Sequence, residues 1–217
     1  MHELVIVIII LLTGLSLWLY LRYLHFRRKA LFYLIQRTVF QHSLDLHTFL
    51  NSFNKLAAVI MLNEKQDAYN FLIDLSKIIK NRLLFEPPLT WSLLREIQYI
   101  LTYQEANLIM GTKLPTLVFP DYRENLNIEL PTLCLYSLMR LSIFGRETET
   151  GSLEISFSQK GREYHFYLKY TGDSNSVPHG KSNRFEELLQ LYKKYFGRRF
   201  SYFVSFGADE CKIIWKP

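Results

Sequence analysis

Cysteine is scarce, with only Cys134 and Cys211 in 217 residues, and both sit in apolar stretches. Two such residues cannot build a disulfide scaffold, and they read as reduced core side chains. No Cys/His cluster has the spacing of metal ligands, so no metal site is expected. No glycine-rich phosphate loop of the nucleotide-triphosphatase type is present. Charged side chains are absent from Leu4 to Leu21, and glycine and proline are absent from Lys29 to Leu62. The first absence points to lipid, and the second to uninterrupted helix.

The chain is 49% hydrophobic and 21% charged with a formal net charge of +6, which fits one anchored protein with one or two small domains. The Leu4–Leu21 run is rich in Leu, Ile and Val, and its length of about 18 residues meets the lower limit for a membrane-spanning helix. Glu3 precedes it, whereas Arg22, Arg27, Arg28 and Lys29 follow, and Trp18, Tyr20 and Tyr23 mark that boundary. A cleaved signal peptide has the opposite charge order. The positive-inside rule therefore predicts a single-pass protein of a bacterial inner membrane, its amino terminus outside and the rest cytoplasmic. The excess positive charge then reads as attraction to inner-leaflet lipid, with no nucleic acid as partner. That placement leaves no room for an extracellular sensor domain.

Beyond the run, Val39, His42, Leu46, Phe49, Phe53, Leu56 and Ile60 alternate at three and four, a heptad seam for helix packing. His47 directly follows a seam residue, which sets its imidazole to the side, towards water. An exposed histidine on a rigid helix is what phosphoryl transfer to nitrogen requires, although a plain surface histidine has the same pattern. After a polar break at Asn63–Gln66, helical spacing resumes over Asp67–Leu84 and stops at Glu86-Pro87-Pro88. Two such hairpins make a four-helix bundle. A third helix is predicted from about Trp91 to Met110. After Gly111 the texture becomes α/β: a short edge strand at Thr116–Phe119, a helix entered at Leu130-Pro131-Thr132-Leu133, strands over Leu153–Ser158 and Tyr164–Tyr170, a helix over Phe185–Phe196, and a closing hairpin of Phe200–Phe206 and Cys211–Trp215.

The segment around His47 resembles the phosphoacceptor box of bacterial sensor histidine kinases of the autolysin-sensor type, the internal-region family. That box reads Pro-His-Phe-Leu-Phe-Asn-x-Leu-Asn; here His47, Asn51 and Asn54 are in register and Leu46 replaces the proline. Leu72–Lys80 is similar to the family's second helix, and Glu96 and Tyr103 match a Glu and a Tyr at the family's spacing. The order of elements after Gly111 is similar to the ATP-binding domain shared by histidine kinases, gyrase and a heat-shock chaperone. The resemblance runs from about Val39 to Pro217 and implies an α+β protein in three parts: a transmembrane helix at 1–23, a helical dimerisation and phosphoacceptor-like region at 24–110, and an ATPase-like α/β sandwich at 111–217.

The ATP-site motifs depart from the family. Its glutamate and magnesium-binding asparagine align with Arg140 and Leu141 in one register and with Met139 and Arg140 in the other. Neither leucine nor arginine offers the oxygen ligand that magnesium demands. The Asp-Asn-Gly-x-Gly turn is Tyr170-Thr171-Gly172-Asp173-Ser174, with tyrosine where the adenine-reading aspartate belongs and only Gly172 kept. The Gly-x-Gly-Leu motif maps onto Ser182-Asn183-Arg184-Phe185, losing the close backbone approach that phosphate needs. The resemblance therefore implies a pseudokinase without a bound cofactor, acting by dimerisation and docking. Its expected partners are a second copy or a related histidine kinase, a response regulator, and membrane lipid. An active divergent kinase using ATP and magnesium with His47 as acceptor is the alternative, and a structural subunit of a membrane assembly is another. The other histidines read as packing or solvated residues: His42 in the seam, His165 in a strand and His179 in a loop. The aromatic run Phe196 to Phe206 reads as core.

Overall fold

The structure is a computed structural model, and it describes residues 2–43, 54–55, 57–58, 60, 66, 69–73, 76, 87–109, 114–119, 127–143, 151–172, 184–205 and 210–217. The first element, α1 (His2–Ser43), is one unbroken helix. Only Gly14 interrupts its run of helix-compatible residues, and Thr13 and Ser16 bond back to carbonyls three residues earlier. Its last third buries Ile35, Thr38, Val39 and His42, a stripe at helical spacing.

The membrane-spanning helix expected over Leu4–Leu21 is corrected here. Among the described residues no helix is long and apolar enough to cross a membrane. Within α1 the apolar run gives way at Arg22 to a basic stretch with Arg27, Arg28 and Lys29. The transmembrane part of the expected fold and the single-pass inner-membrane location fall with it. The described chain is a mixed α/β structure with two sheets.

Strand β1 (Thr90–Ser92) leads directly into α2 (Leu93–Ile109), whose first turn is capped by the Ser92 hydroxyl. β2 (Thr116–Val118) and β3 (Glu129–Pro131) follow. β3 pairs antiparallel with β1, setting Trp91 opposite Leu130. After a turn at Leu133, α3 (Cys134–Ile143) is buried on nearly every side, so it is the central helix. β4 (Gly151–Lys160) and β5 (Glu163–Gly172) form a long hairpin, with Gly161 in the left-handed region that its tight turn needs. In α4 (Arg184–Phe196) the buried Phe185, Leu188, Leu189 and Tyr192 recur at i, i+3, i+4 and i+7. Its acidic residues lie in the first turn and its basic residues in the last, matching the helix dipole. β6 (Phe200–Ser205) and β7 (Glu210–Trp215) close the chain.

The larger sheet has the order β2-β4-β5-β7-β6, parallel at β2–β4 and antiparallel elsewhere. Helices α3 and α4 cover one face of it, α2 packs on α3, and α1 packs on α4. The core lies between sheet and helices, where Leu153, Phe166, Leu168 and Ile213 meet Leu135, Leu138 and Leu188. On the opposite sheet face, among the described residues, Glu154, Lys169, Phe203 and Glu210 are exposed.

Gly151 shows how tightly β4 and β5 meet. A Cβ there would lie 2.6 Å from the Tyr170 hydroxyl and 2.8 Å from the Thr171 carbonyl oxygen. Gly151→Ala is expected to lower stability by about 1–3 kcal/mol, as overpacking does. Removing the hydroxyl with Tyr170→Phe should recover part of that loss. Urea denaturation of the single and double variants checks both, and a neutral Gly151→Ala would contradict the close approach.

Candidate functional site

The site begins at Glu96, in the first turn of α2 and fully buried. Its carboxylate reaches across to the start of α3. The Leu133 and Tyr136 amides donate to it at 3.0 and 2.8 Å, and the Trp91 indole N–H donates as well. An anion at a helix amino terminus satisfies amides that have no intrahelical acceptor. Leu133, at φ 59°, takes the left-handed conformation that turns its amide towards the carboxylate. Burial raises the Glu96 pKa to about 7, against the opposing pull of the Tyr136, Trp91, Leu133 and Leu135 donors.

Thr132, just upstream, ties the same junction to its neighbours. Its amide donates to the Leu89 carbonyl at 3.1 Å and its hydroxyl to the Pro88 carbonyl at 2.6 Å. The Tyr192 hydroxyl of α4 donates to the Thr132 carbonyl. Burial pushes the Cys134 thiol and the Tyr192 phenol well up, Glu96 adding to both effects, so neither is a nucleophile near neutral pH.

One to two turns along α3 lies an aromatic cage. The Arg140 guanidinium stands 4.9 Å above the Tyr103 ring and 5.2 Å from the Phe185 ring, and it donates to the Tyr103 hydroxyl. Tyr136 meets Tyr99, Tyr103 and Phe185 edge-to-face at 5.0, 5.3 and 5.9 Å. From α1, the buried His42 ring sits edge-on to Phe185 at 4.8 Å. Four helices thus converge on one arginine. Arg140, one of the degenerate ATP-site positions of the resemblance, is half-buried between these rings.

The other expected positions are more scattered. Leu141 is buried beside Arg140 in α3. Tyr170 is buried in β5 against Gly151, while Gly172 ends that strand opposite Gly151. Asn54 is helical and exposed. His47, Asn51 and Ser182 lie outside the described residues. Val39 and His42, which open the predicted seam, are buried within the chain on the α1 face that packs on α4. His165 is buried in its strand, 3.3 Å from Glu163. Among the described residues no group of three His, Cys, Asp or Glu could hold a metal ion.

From the sequence Glu96 stands out only as a match to a glutamate of the resembled family, not as a capping anion. The available signal was an acidic residue in the first turn of a helix, five positions after a tryptophan. A cleft of about 540 Å³ lies alongside α2, lined by Trp91, Arg95, Gln98, Tyr99, Leu101, Thr102 and Glu105. None of the expected ATP-site positions lines it.

No protein-family model matches the chain, and a search of curated proteins finds no relative. Among solved structures it is similar to the histidine kinase AdeS of Acinetobacter baumannii, with 10% identity and a TM-score of 0.39, over 80% of this chain and 96% of that one.

The Glu96 environment sets a pH dependence. A carboxyl whose folded pKa is raised favours the fold most while both states are protonated. Its contribution is full below the unfolded value near 4.5 and is lost as pH rises to about 7. The loss is on the order of 3 kcal/mol between those limits, from about 1.4 kcal/mol per pH unit. Glu96→Gln should flatten that part of the stability–pH curve. Urea midpoints at pH 4.5, 6 and 7.5 check it, and parallel curves for both chains would contradict it.

Proposed function

We propose that this chain is a kinase-shaped signalling protein of the sensor histidine kinase type whose nucleotide site is occupied by its own side chains, so that it acts by docking. The observation that carries the reading is the Arg140 cage. Nucleotide-binding members of the resembled family place a metal-holding oxygen ligand in the helix that follows the Leu-Pro entry. Here that helix offers a guanidinium stacked on Tyr103 and Phe185. A fixed cation repels magnesium, and a packed guanidinium is not free to turn towards phosphate. Tyr170 adds a second obstacle, since a buried phenol cannot take the role of a solvent-reachable carboxylate reading an adenine amino group.

The partners that suit this reading are a second copy or a related histidine kinase, joined through the helical seam, and a response regulator docking near His47. Neither needs a bound nucleotide. Phosphate on His47 would then come from an active partner kinase or from a phosphorylated regulator.

Calorimetric titration of the full chain with magnesium-ATP tests the proposal. It predicts no binding up to millimolar nucleotide. Micromolar, magnesium-dependent binding would sink it in favour of an active kinase. A second experiment separates docking from phosphotransfer. Phe53→Asp should abolish signalling, because an unpaired charge buried in a helical seam costs several kcal/mol. His47→Ala should leave signalling intact. The opposite outcome would make phosphotransfer the mechanism.

A further inference from the structure

Among the described residues β6 is an edge strand of the larger sheet. Phe200 on its inward row is buried, and Tyr202 and Val204 pack against the core. On the outer row Phe203 is 62% exposed. The strand reads Phe-Ser-Tyr-Phe-Val-Ser, with aromatic and β-branched residues and neither a charge nor a proline. Native edge strands ordinarily carry such a guard, because an open row of amides and carbonyls is a template for another strand. The other edge strand, β2, has three residues, too few to hold a register.

We propose that β6 pairs antiparallel with β6 of a second copy of this chain about a two-fold axis, joining two five-stranded sheets. The charges flanking the strand choose this occupant. Exposed Arg198 and Arg199 precede it, and at its other end the exposed Glu210 of β7 lies across from Ser205. An antiparallel copy brings the basic end of each strand towards the acidic end of the other. A parallel copy would set like charge beside like, which is unfavourable.

The register follows from the two faces. Residues directly opposite in an antiparallel pair point to the same side, so inward residues must meet inward ones. The register centred on Phe203 meets this condition. It sets Phe203 against its own counterpart, burying the exposed ring in an aromatic cross-strand pair, and sets Tyr202 opposite Val204 of the second copy. This contact uses no residue of the helical seam or of the Arg140 cage. Its failure would therefore leave the proposed docking function untouched.

Position-specific crosslinking of the full chain is the test. Cys134 and Cys211 are buried and stay silent. With Phe203→Cys, the two thiols lie on directly opposed residues about 4.5–5.5 Å apart between Cα atoms, within disulfide range. With Ser201→Cys, the two copies of residue 201 are offset by four strand positions, about 14 Å. Under copper-phenanthroline oxidation Phe203→Cys should give at least about tenfold more covalent dimer than Ser201→Cys. Equal yields, no dimer from Phe203→Cys, or an excess from Ser201→Cys would each overturn the proposal. Phe203 is largely exposed, so the substitution leaves the core intact, and an unchanged circular dichroism spectrum verifies that.

Discussion

The fold depends on one buried carboxylate. Glu96 lies in α2, yet its donors are amides at the start of α3 and the indole of Trp91 in β1. Trp91 is a near neighbour in sequence, but the Leu133 and Tyr136 amides lie 37 and 40 positions away, so these directed hydrogen bonds tie α2 to the start of α3. α3 is the central helix, so whatever fixes its first turn also fixes the helix against which the sheet and α4 pack. Ionisation at that position is costly, and the amides at the start of α3, aimed by the left-handed Leu133, offset only part of the desolvation that raises the Glu96 pKa to about 7.

The Arg140 cage is the second consequence of that arrangement. Once α3 is set against α2, Arg140 faces Tyr103, and α4 brings Phe185 to the other side of the guanidinium. α1 then closes the cluster with His42. Burying a guanidinium is costly without partners, but two aromatic faces and a phenol hydroxyl supply them. The Arg140 contacts are therefore packing contacts that join α2, α3 and α4.

Much of the ordered architecture was legible in the sequence because it rests on short-range periodicity. Phe185, Leu188, Leu189 and Tyr192 announce α4, and the two alternating runs after Gly151 announce the β4–β5 hairpin. Less legible was what depends on distance in space. Leu130 and Pro131 read as the entry to a helix but belong to β3, and the helix starts at Cys134, because pairing with β1 holds those residues extended. The membrane helix expected over Leu4–Leu21 is not upheld, since among the described residues no helix is long and apolar enough to cross a membrane. Arg140 was recognised as a wrong residue for metal binding, but its partners Tyr103 and Phe185 lie 37 and 45 positions away in the sequence, beyond any local signal. Glu96 was unremarkable as a helix residue, since nothing in its neighbourhood reveals the amides it will meet.

A double-mutant cycle at the cage tests the central claim that Arg140 is held by packing rather than kept free for a ligand. Arg140→Met and Tyr103→Phe would be made singly and together, and unfolding free energies measured in urea. The account predicts that each single change destabilises the chain and that the pair couples by about 1–3 kcal/mol, as contacting residues in one network do. A neutral Arg140→Met with strictly additive effects would contradict it, leaving the guanidinium available for phosphate and the nucleotide site open.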